Sequence, residues 1–263
     1  MTTGRLVVIG GDAAGMSAAS KVRREQPGRE ITVFERSPHT SYSACGMPYY
    51  IAGLVDEPEK LVVRSPEKFR ERFNIDVRTR HEVLAIDRPA QRVWVADLEQ
   101  GSEAWEPYDQ LLIATGAEAI FPPLPGSDAE GIFSLSTLAS GIKVYEFMDQ
   151  QLPRTAVVVG GGYIGLEMAE ALVRQGLQVT LIEKGEQVMG TLDPDMGALI
   201  SEALREIGVT LHLNESLVGY EVANGKVSAV VTDQRTVPAD MVIVGLGTRP
   251  NSRLAADAGN VLG

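Results

Sequence analysis

The segment Leu6-Val7-Val8-Ile9-Gly10-Gly11-Asp12-Ala13-Ala14-Gly15 joins a short β-branched run to a glycine turn and an alanine-rich stretch reaching Glu25. The same grammar returns at Ala156-Val157-Val158-Val159-Gly160-Gly161-Gly162-Tyr163-Ile164-Gly165, followed by a helical stretch to about Arg174, with Gly10 and Gly160 150 residues apart. Each copy has a second strand, Ile31 to Glu35 and Val179 to Glu183. Continuous apolar strands alternating with helices predict parallel βαβ units whose sheets are covered on both faces. A chain built this way twice is constrained to an α/β fold with two nucleotide-binding units.

Other segments fit around that frame. Ile75 to Val77, Glu82 to Asp87 and Arg92 to Ala96 read as short antiparallel strands, and Leu111-Leu112-Ile113-Ala114-Thr115-Gly116 as a buried strand ending in a turn. Phe121-Pro122-Pro123-Leu124-Pro125-Gly126 reads as a linker, because three prolines remove backbone donors and fix the chain. Glu215 to Val222 and Lys226 to Thr232 flank Asn224-Gly225, a hairpin signal, and Met241 to Val244 is a further strand. The expected fold class is α/β, two Rossmann-like units each with small antiparallel β additions.

Composition narrows the function. The 263 residues suit two ordinary domains, and 44% hydrophobic with 22% charged residues is enough apolar material for a core. With 24 Lys plus Arg against 35 Asp plus Glu, the net charge of −11 offers no electrostatic footprint for nucleic acid or an anionic membrane. The longest apolar runs are too short to span a bilayer, and the N-terminus lacks the apolar run and cleavage site of a secretory signal. One cysteine excludes an internal disulfide framework, so a cytoplasmic protein is expected and Cys45 needs an explanation. No metal site is expected.

The glycine motifs suggest dinucleotides. Gly160, Gly162 and Gly165 have the spacing of a tight turn, a close backbone approach and a helix N-terminus aimed at a pyrophosphate. Glu183, 23 residues after Gly160, can accept hydrogen bonds from both ribose hydroxyls and repel a 2′-phosphate, which favours NADH, while Lys184 keeps NADPH open. In the first copy Asp12 stands where the middle glycine would be and is expected to crowd a pyrophosphate, but Glu35 lies 25 residues after Gly10. The alternative there is a Rossmann unit that binds nothing. Two different dinucleotide sites imply an electron relay, for which NADH to FAD is the usual pairing.

Cys45 lies in Ser41-Tyr42-Ser43-Ala44-Cys45-Gly46-Met47-Pro48-Tyr49-Tyr50-Ile51. Pro48 suits a first helical turn, which puts Cys45 at or just before a helix N-terminus, where amides and dipole stabilise a thiolate. The opposing reading is a buried, inert thiol.

These residues resemble the single-cysteine branch of the pyridine nucleotide-disulfide oxidoreductases, the coenzyme A-disulfide reductase and NADH oxidase group. The resemblance is carried in family order by Gly10-Gly11 through Gly15, Ser41 through Ile51, Ala114-Thr115-Gly116, Gly160 through Glu167, and Gly245 through Asn251. It implies a glutathione-reductase-like layout with an FAD-binding part at 1–117, an NAD(P)H-binding part at 118–246 and the start of a return to the FAD domain at 247–263. It places FAD on Gly10, Gly11, Ala14, Gly15, Glu35, Arg36, Ser43, Thr115 and Gly116, with the Val83 backbone at the adenine. It places NAD(P)H on Gly160, Gly162, Ile164, Gly165, Glu183 and Gly247, with Tyr163 as an aromatic gate over the flavin and Glu167 as an acid near the nicotinamide.

By the same resemblance Cys45 is the redox-active residue, and its partner sulfur comes from a substrate or is replaced by oxygen chemistry. Ala13 stands where peroxidase-like members place a histidine, which favours thiol exchange. Arg24 and Ser41 match residues that contact coenzyme A, and Ala44 stands where an asparagine is common. The family normally continues past Pro250-Asn251 with an Ala-x-Gly-Asp segment and a dimerisation domain. Residues 1–263 alone are therefore expected to retain flavin weakly and turn over poorly, and a longer chain to be a homodimer. Three readings stay open: a flavin-dependent reductase of coenzyme A disulfide or a related small disulfide, an NADH oxidase or peroxidase cycling Cys45 through sulfenic acid, and a non-catalytic nucleotide-binding fragment.

Overall fold

The β-branched runs before the two glycine turns lie inside two separate parallel sheets in the computed structural model, which describes residues 4–262. Along the chain come β1 (Arg5–Ile9), α1 (Ala13–Glu25), β2 (Glu30–Glu35), a single 3-10 turn (Ala44–Gly46), α2 (Met47–Ile51), a second 3-10 turn (Pro58–Leu61), α3 (Pro66–Phe73), β3 (Asp76–Thr79), β4 (His81–Asp87), β5 (Arg92–Asp97), β6 (Ser102–Pro107), β7 (Gln110–Ile113) and β8 (Ala117–Ala119). Then follow β9 (Ile132–Phe133), α4 (Leu138–Gln151), β10 (Thr155–Val159), α5 (Tyr163–Arg174), β11 (Gln178–Ile182), α6 (Pro194–Glu206), β12 (Thr210–His212), β13 (Leu217–Ala223), β14 (Lys226–Thr232), β15 (Thr236–Pro238), β16 (Met241–Val244), β17 (Thr248–Pro250) and α7 (Arg253–Asp257). The chain divides into two compact units. One contains the chain up to Ser43, Glu59–Glu118 and the chain from Pro250; the other contains Ala44–Pro58 and Ala119–Arg249.

In the first unit the sheet order is β3-β2-β1-β7, parallel throughout, with Val8 opposite both Val33 and Leu112. Alternate β1 residues point to opposite faces. Leu6 and Val8 pack with Met16 and Ala19 of α1 and Phe69 of α3, while Val7 and Ile9 pack with Val83, Val93 and Val95. Those last three belong to an antiparallel β4-β5-β6 sheet. Both faces are thus covered, one by helices and the other by a second sheet.

The run Ile75–Val77 falls at β3, which is parallel to β2 with Val33 opposite Val77, not antiparallel as its short length suggested. Direction is decided by α3, a full helix between β2 and β3. Its start follows Ser65, whose hydroxyl accepts from Lys68 N, and it ends at a left-handed Asn74, φ 49°. Leu111–Ile113 of β7 are only half-buried, not buried as expected.

The second unit repeats the plan with sheet order β12-β11-β10-β16-β9, also parallel. Val157 and Val159 face a β13-β14-β15 antiparallel sheet through Tyr220, Val227 and Val230. Asn224 and Gly225 both have positive φ, 53° and 79°, as a two-residue hairpin turn between right-twisted strands requires. The residues 121–124 have no regular structure, in keeping with their prolines. Helix α2 belongs to this unit: it packs against α4 and α5, Tyr50 stacks on Tyr145 with ring centroids 4.7 Å apart, and Gln175 Nε2 donates to Ile51 O at 2.8 Å.

Candidate functional site

The two glycine turns have nearly the same geometry. Gly10 and Gly160 have φ of 103° and 105°, a region that favours glycine, and a Cβ on either would lie 2.1 Å from Ala114 O or 2.4 Å from Gly245 O. Their amides donate to Phe34 O and Ile182 O, both at 2.8 Å. A Cβ on Gly15 or Gly165 would lie 1.9 Å from the carbonyl of Gly10 or Gly160, so each helix starts hard against its own turn. The chain crosses back at Ala114 N to Ile9 O, 2.8 Å, and at Gly245 N to Val159 O, 2.7 Å.

The acids at the strand ends complete the match. Glu35 accepts from Gly11 N at 2.7 Å and Ser37 N at 2.8 Å; Glu183 accepts from Gly161 N at 2.6 Å and Gly185 N at 2.7 Å. Each carboxylate is oriented by two amides, and each oxygen keeps lone-pair capacity for a ribose hydroxyl. Gly11 and Gly161, which lie outside the three-glycine spacing, are required here. A Cβ would come within 2.8 Å of Glu35 Cβ in one and of Val188 in the other.

Helices α1 and α5 begin with no side-chain cap and no acid in the first turn. Their leading amides and positive dipole ends suit a pyrophosphate, and the space over Gly162 is open. The donor sets therefore fit dinucleotides in both units. Asp12 does not disturb this frame: Asp12 and Gly162 are both extended, with φ of −107° and −82°, so no glycine conformation is needed. The Asp12 carboxylate turns to Tyr42 N at 3.3 Å. Burial, helped by the nearby Glu35 charge and opposed by backbone hydrogen bonds, raises its pKa above the ordinary aspartate value.

The loop leading to the cysteine is tied to the first turn. Ser41 N donates to Gly11 O at 3.1 Å, the Thr40 hydroxyl also donates to Gly11 O, and Ser41 has a positive φ of 50°. Ser43 N then donates to Leu61 O at 2.8 Å. Cys45 is exposed, in the 3-10 turn before α2, with Pro48 in the first turn of that helix as the sequence predicts. The expected alternative of a buried thiol is therefore not what the structure has.

The remaining predicted residues fall in several places. Tyr163, 69% exposed, and Glu167, also exposed, are four residues apart on one face of α5; Ile164 is half-buried behind them. Ala14, Arg36, Ser43, Gly116 and Gly247 are exposed, and Val83 is buried at the bulge of the β4–β5 pair. Thr115 is held by Asn251 in both directions: its hydroxyl donates to Asn251 O at 2.7 Å and Asn251 Nδ2 donates to Thr115 O at 2.8 Å. Arg24 and Ser41 come together in a groove of about 280 Å³ within the first unit, which Arg64 also lines. Sequence reasoning missed Arg64, since a loop arginine has no periodicity to mark its neighbours. Among the described residues no helix is long and apolar enough to cross a membrane.

Comparison with known proteins agrees with this geometry. The family model described as pyridine nucleotide-disulphide oxidoreductase matches residues 4–262. A CoA-dependent NAD(P)H sulfur oxidoreductase of Pyrococcus abyssi is 38% identical, over 98% of this chain and 56% of its own length. An NADH oxidase of Methanocaldococcus jannaschii is 35% identical, over 98% of this chain and 58% of its own. Among solved structures, an NAD-dependent persulfide reductase from A. fulgidus superposes with a TM-score of 0.94 at 40% identity, covering 98% of this chain and 48% of that one. The chain spans little more than half the length of the curated relatives it matches.

Proposed function

The chain belongs to the pyridine nucleotide-disulphide oxidoreductase family, and from that premise we propose that it carries electrons from NAD(P)H by way of FAD to Cys45 and on to a low-molecular-weight disulfide or persulfide of the coenzyme A type. The observation that carries this reading is the exposed Cys45, the chain's single cysteine, held three residues beyond a loop tied to the first glycine turn. FAD, when bound, supplies the two-electron relay between nicotinamide and sulfur.

The chain's own residues do the rest. The leading amides of α1 would hold the flavin pyrophosphate and Glu35 its adenosine ribose, with the Thr115-Gly116 turn, braced by Asn251, as a further contact. The α5 amides and Glu183 hold NAD(P)H in the same way, with Glu183 favouring NADH and the exposed Lys184 leaving NADPH accessible. Tyr163 and Glu167, exposed on one face of α5, would receive the nicotinamide. Cys45 thiolate attacks one sulfur of the substrate disulfide, forming a mixed disulfide with one half and releasing the other as thiolate; two electrons then return Cys45 to thiolate and free the second thiol. Arg24 and Ser41 bind the anionic end of the substrate.

The similarity to an NADH oxidase supports a second reading, in which Cys45 is oxidised to sulfenic acid by peroxide and reduced again. One experiment separates the two. Mass spectrometry of the native protein should find a coenzyme A adduct on Cys45, and Cys45→Ser should abolish NADH-dependent disulfide reduction. Dimedone labelling of Cys45 after peroxide, with no thiol released from coenzyme A disulfide, would favour the oxidase. Unchanged disulfide reduction by Cys45→Ser would remove the cysteine from either mechanism.

A further inference from the structure

The loop that carries Glu183 is held from outside the glycine turn by residues 212–215. Glu183 N donates to His212 O at 2.9 Å, Glu215 N to Glu183 O at 3.1 Å and Asn214 N to Gly185 O at 2.9 Å. The first unit has the same brace: Arg80, with a φ of 56° against 55° at Asn214, donates its amide to Ser37 O at 3.1 Å. The two copies part at the next residue. His81 in the first unit turns Nδ1 to Thr79 O, 2.8 Å away, whereas Glu215 in the second is a carboxylate only 1% exposed. A buried carboxylate needs partners, and these come from the end of β14 and the turn after it. The Thr232 hydroxyl donates to Glu215 Oε1 at 2.7 Å, and Arg235 Nε lies 3.1 Å from the same oxygen. Thr232 is itself fixed, since its oxygen accepts from Arg235 N at 2.9 Å. His212 Nδ1, 3.9 Å from Glu215 Oε2, is too distant for a hydrogen bond.

We propose that Glu215 is a positioning residue for Glu183 and, through it, a determinant of the preference for NADH over NADPH. The inference rests on the reading that Glu183 receives the adenosine ribose of the nicotinamide nucleotide. Glu215 acts through the backbone: its side chain is anchored at the β14–β15 turn while its amide bonds the Glu183 carbonyl, which ties the acid to the antiparallel β13-β14-β15 sheet. Without that anchor the Glu183 carboxylate keeps its bonds to Gly161 N and Gly185 N but loses the fixed main chain from which it reaches the ribose. A carboxylate held in place accepts from two ribose hydroxyls and repels a 2′-phosphate. NADPH gains nothing from that acid, so NADH binding alone depends on the brace.

The test is calorimetric titration of the complete 263-residue protein with NADH and with NADPH, in the parent, Glu215→Leu, Glu183→Ala and the double variant. Glu215→Leu should weaken NADH by roughly tenfold and leave NADPH unchanged or tighter. Glu215→Gln keeps an acceptor for the Thr232 hydroxyl and should recover most of the loss. Because Glu215 acts through Glu183, adding Glu215→Leu to Glu183→Ala should cost no further NADH affinity, whereas a merely structural residue would add its full effect. If Glu215→Leu does not fold, as judged by its melting curve, Thr232→Val removes the anchoring hydroxyl and should show the same selective loss. Equal losses for both nucleotides, additive losses in the double variant, or unchanged NADH affinity in folded Glu215→Leu would each overturn the assignment. If Glu183→Ala weakens NADH and Glu215→Leu does not, only the positioning role falls; if Glu183→Ala leaves NADH affinity unchanged, the ribose role of Glu183 falls and the inference with it.

Discussion

The two glycine units are copies in framework and differ at one position of the turn. Gly10 and Gly160 share φ within two degrees, the same strand-to-strand hydrogen bond and the same collision with any added Cβ, and Glu35 and Glu183 are each held by two amides. At the position before the helix, however, the first unit has Asp12, bonded to Tyr42, and the second has Gly162, with open space above it. The difference teaches that the first and third glycines are demanded by backbone contact. The middle one is demanded only by what must approach it. In the first unit that position has acquired a second task, tying the turn to the loop that ends at Cys45.

The largest effect should come from breaking the shared element. Gly10→Ala and Gly160→Ala place a methyl within 2.1 and 2.4 Å of a carbonyl oxygen at a strongly positive φ. Each should cost at least about 2 kcal/mol in stability. Flavin absorbance should be lost selectively in the first variant and NADH binding in the second. Loss of both nucleotides in either variant would mean the two turns are not independent sites.

Next come the acids. In Glu35→Gln and Glu183→Gln one amide loses its acceptor and meets a donor, a cost of about 1–3 kcal/mol in urea denaturation. Equal costs would show the two loops to be architecturally equivalent; a clear excess in one would place extra strain there. A transfer of the difference itself is milder. Gly162→Asp introduces a carboxylate at the N-terminus of α5 with no counterpart of Tyr42 to hold it aside, and should weaken NADH by about tenfold. An unchanged NADH affinity would show that the open space over Gly162 is not the path of the pyrophosphate.

The smallest effect concerns pH. Burial raises the folded-state pKa of Asp12, so folded protein holds this proton to higher pH than unfolded chain does. Its contribution to stability is full below the ordinary aspartate pKa and is lost as pH rises through the raised value. Asp12→Asn should remove that loss, giving a flatter urea midpoint from pH 4 to 7, while the amide oxygen still accepts from Tyr42 N. A variant as pH-sensitive as the parent would assign the slope to another group.

Much of this was legible in short windows of sequence. The strand, glycine turn and helix of each unit, the acid at the end of the next strand and the Asn224-Gly225 hairpin all appear where spacing put them, because each signal is written within about two dozen residues. The helical start at Pro48 was equally local. The direction of β3 was not, since an apolar run of three residues has no polarity and only the intervening α3 turns the chain to run parallel. Nor was the use of a second sheet as a cover, because half-buried strands and half-buried helices both satisfy the same apolar face.

By itself, then, the order of residues determined that two dinucleotide-type turns occur, where each begins, and which carboxylate serves each, since backbone sterics and capping act over neighbouring residues. Tertiary structure alone decided that Asp12 accepts from Tyr42 N, 30 residues on. It likewise decided that Arg64 joins Arg24 across 40 residues in one groove, and that Cys45 stands exposed. Those outcomes depend on which loops a parallel sheet delivers to the same strand ends, and no local pattern encodes that delivery.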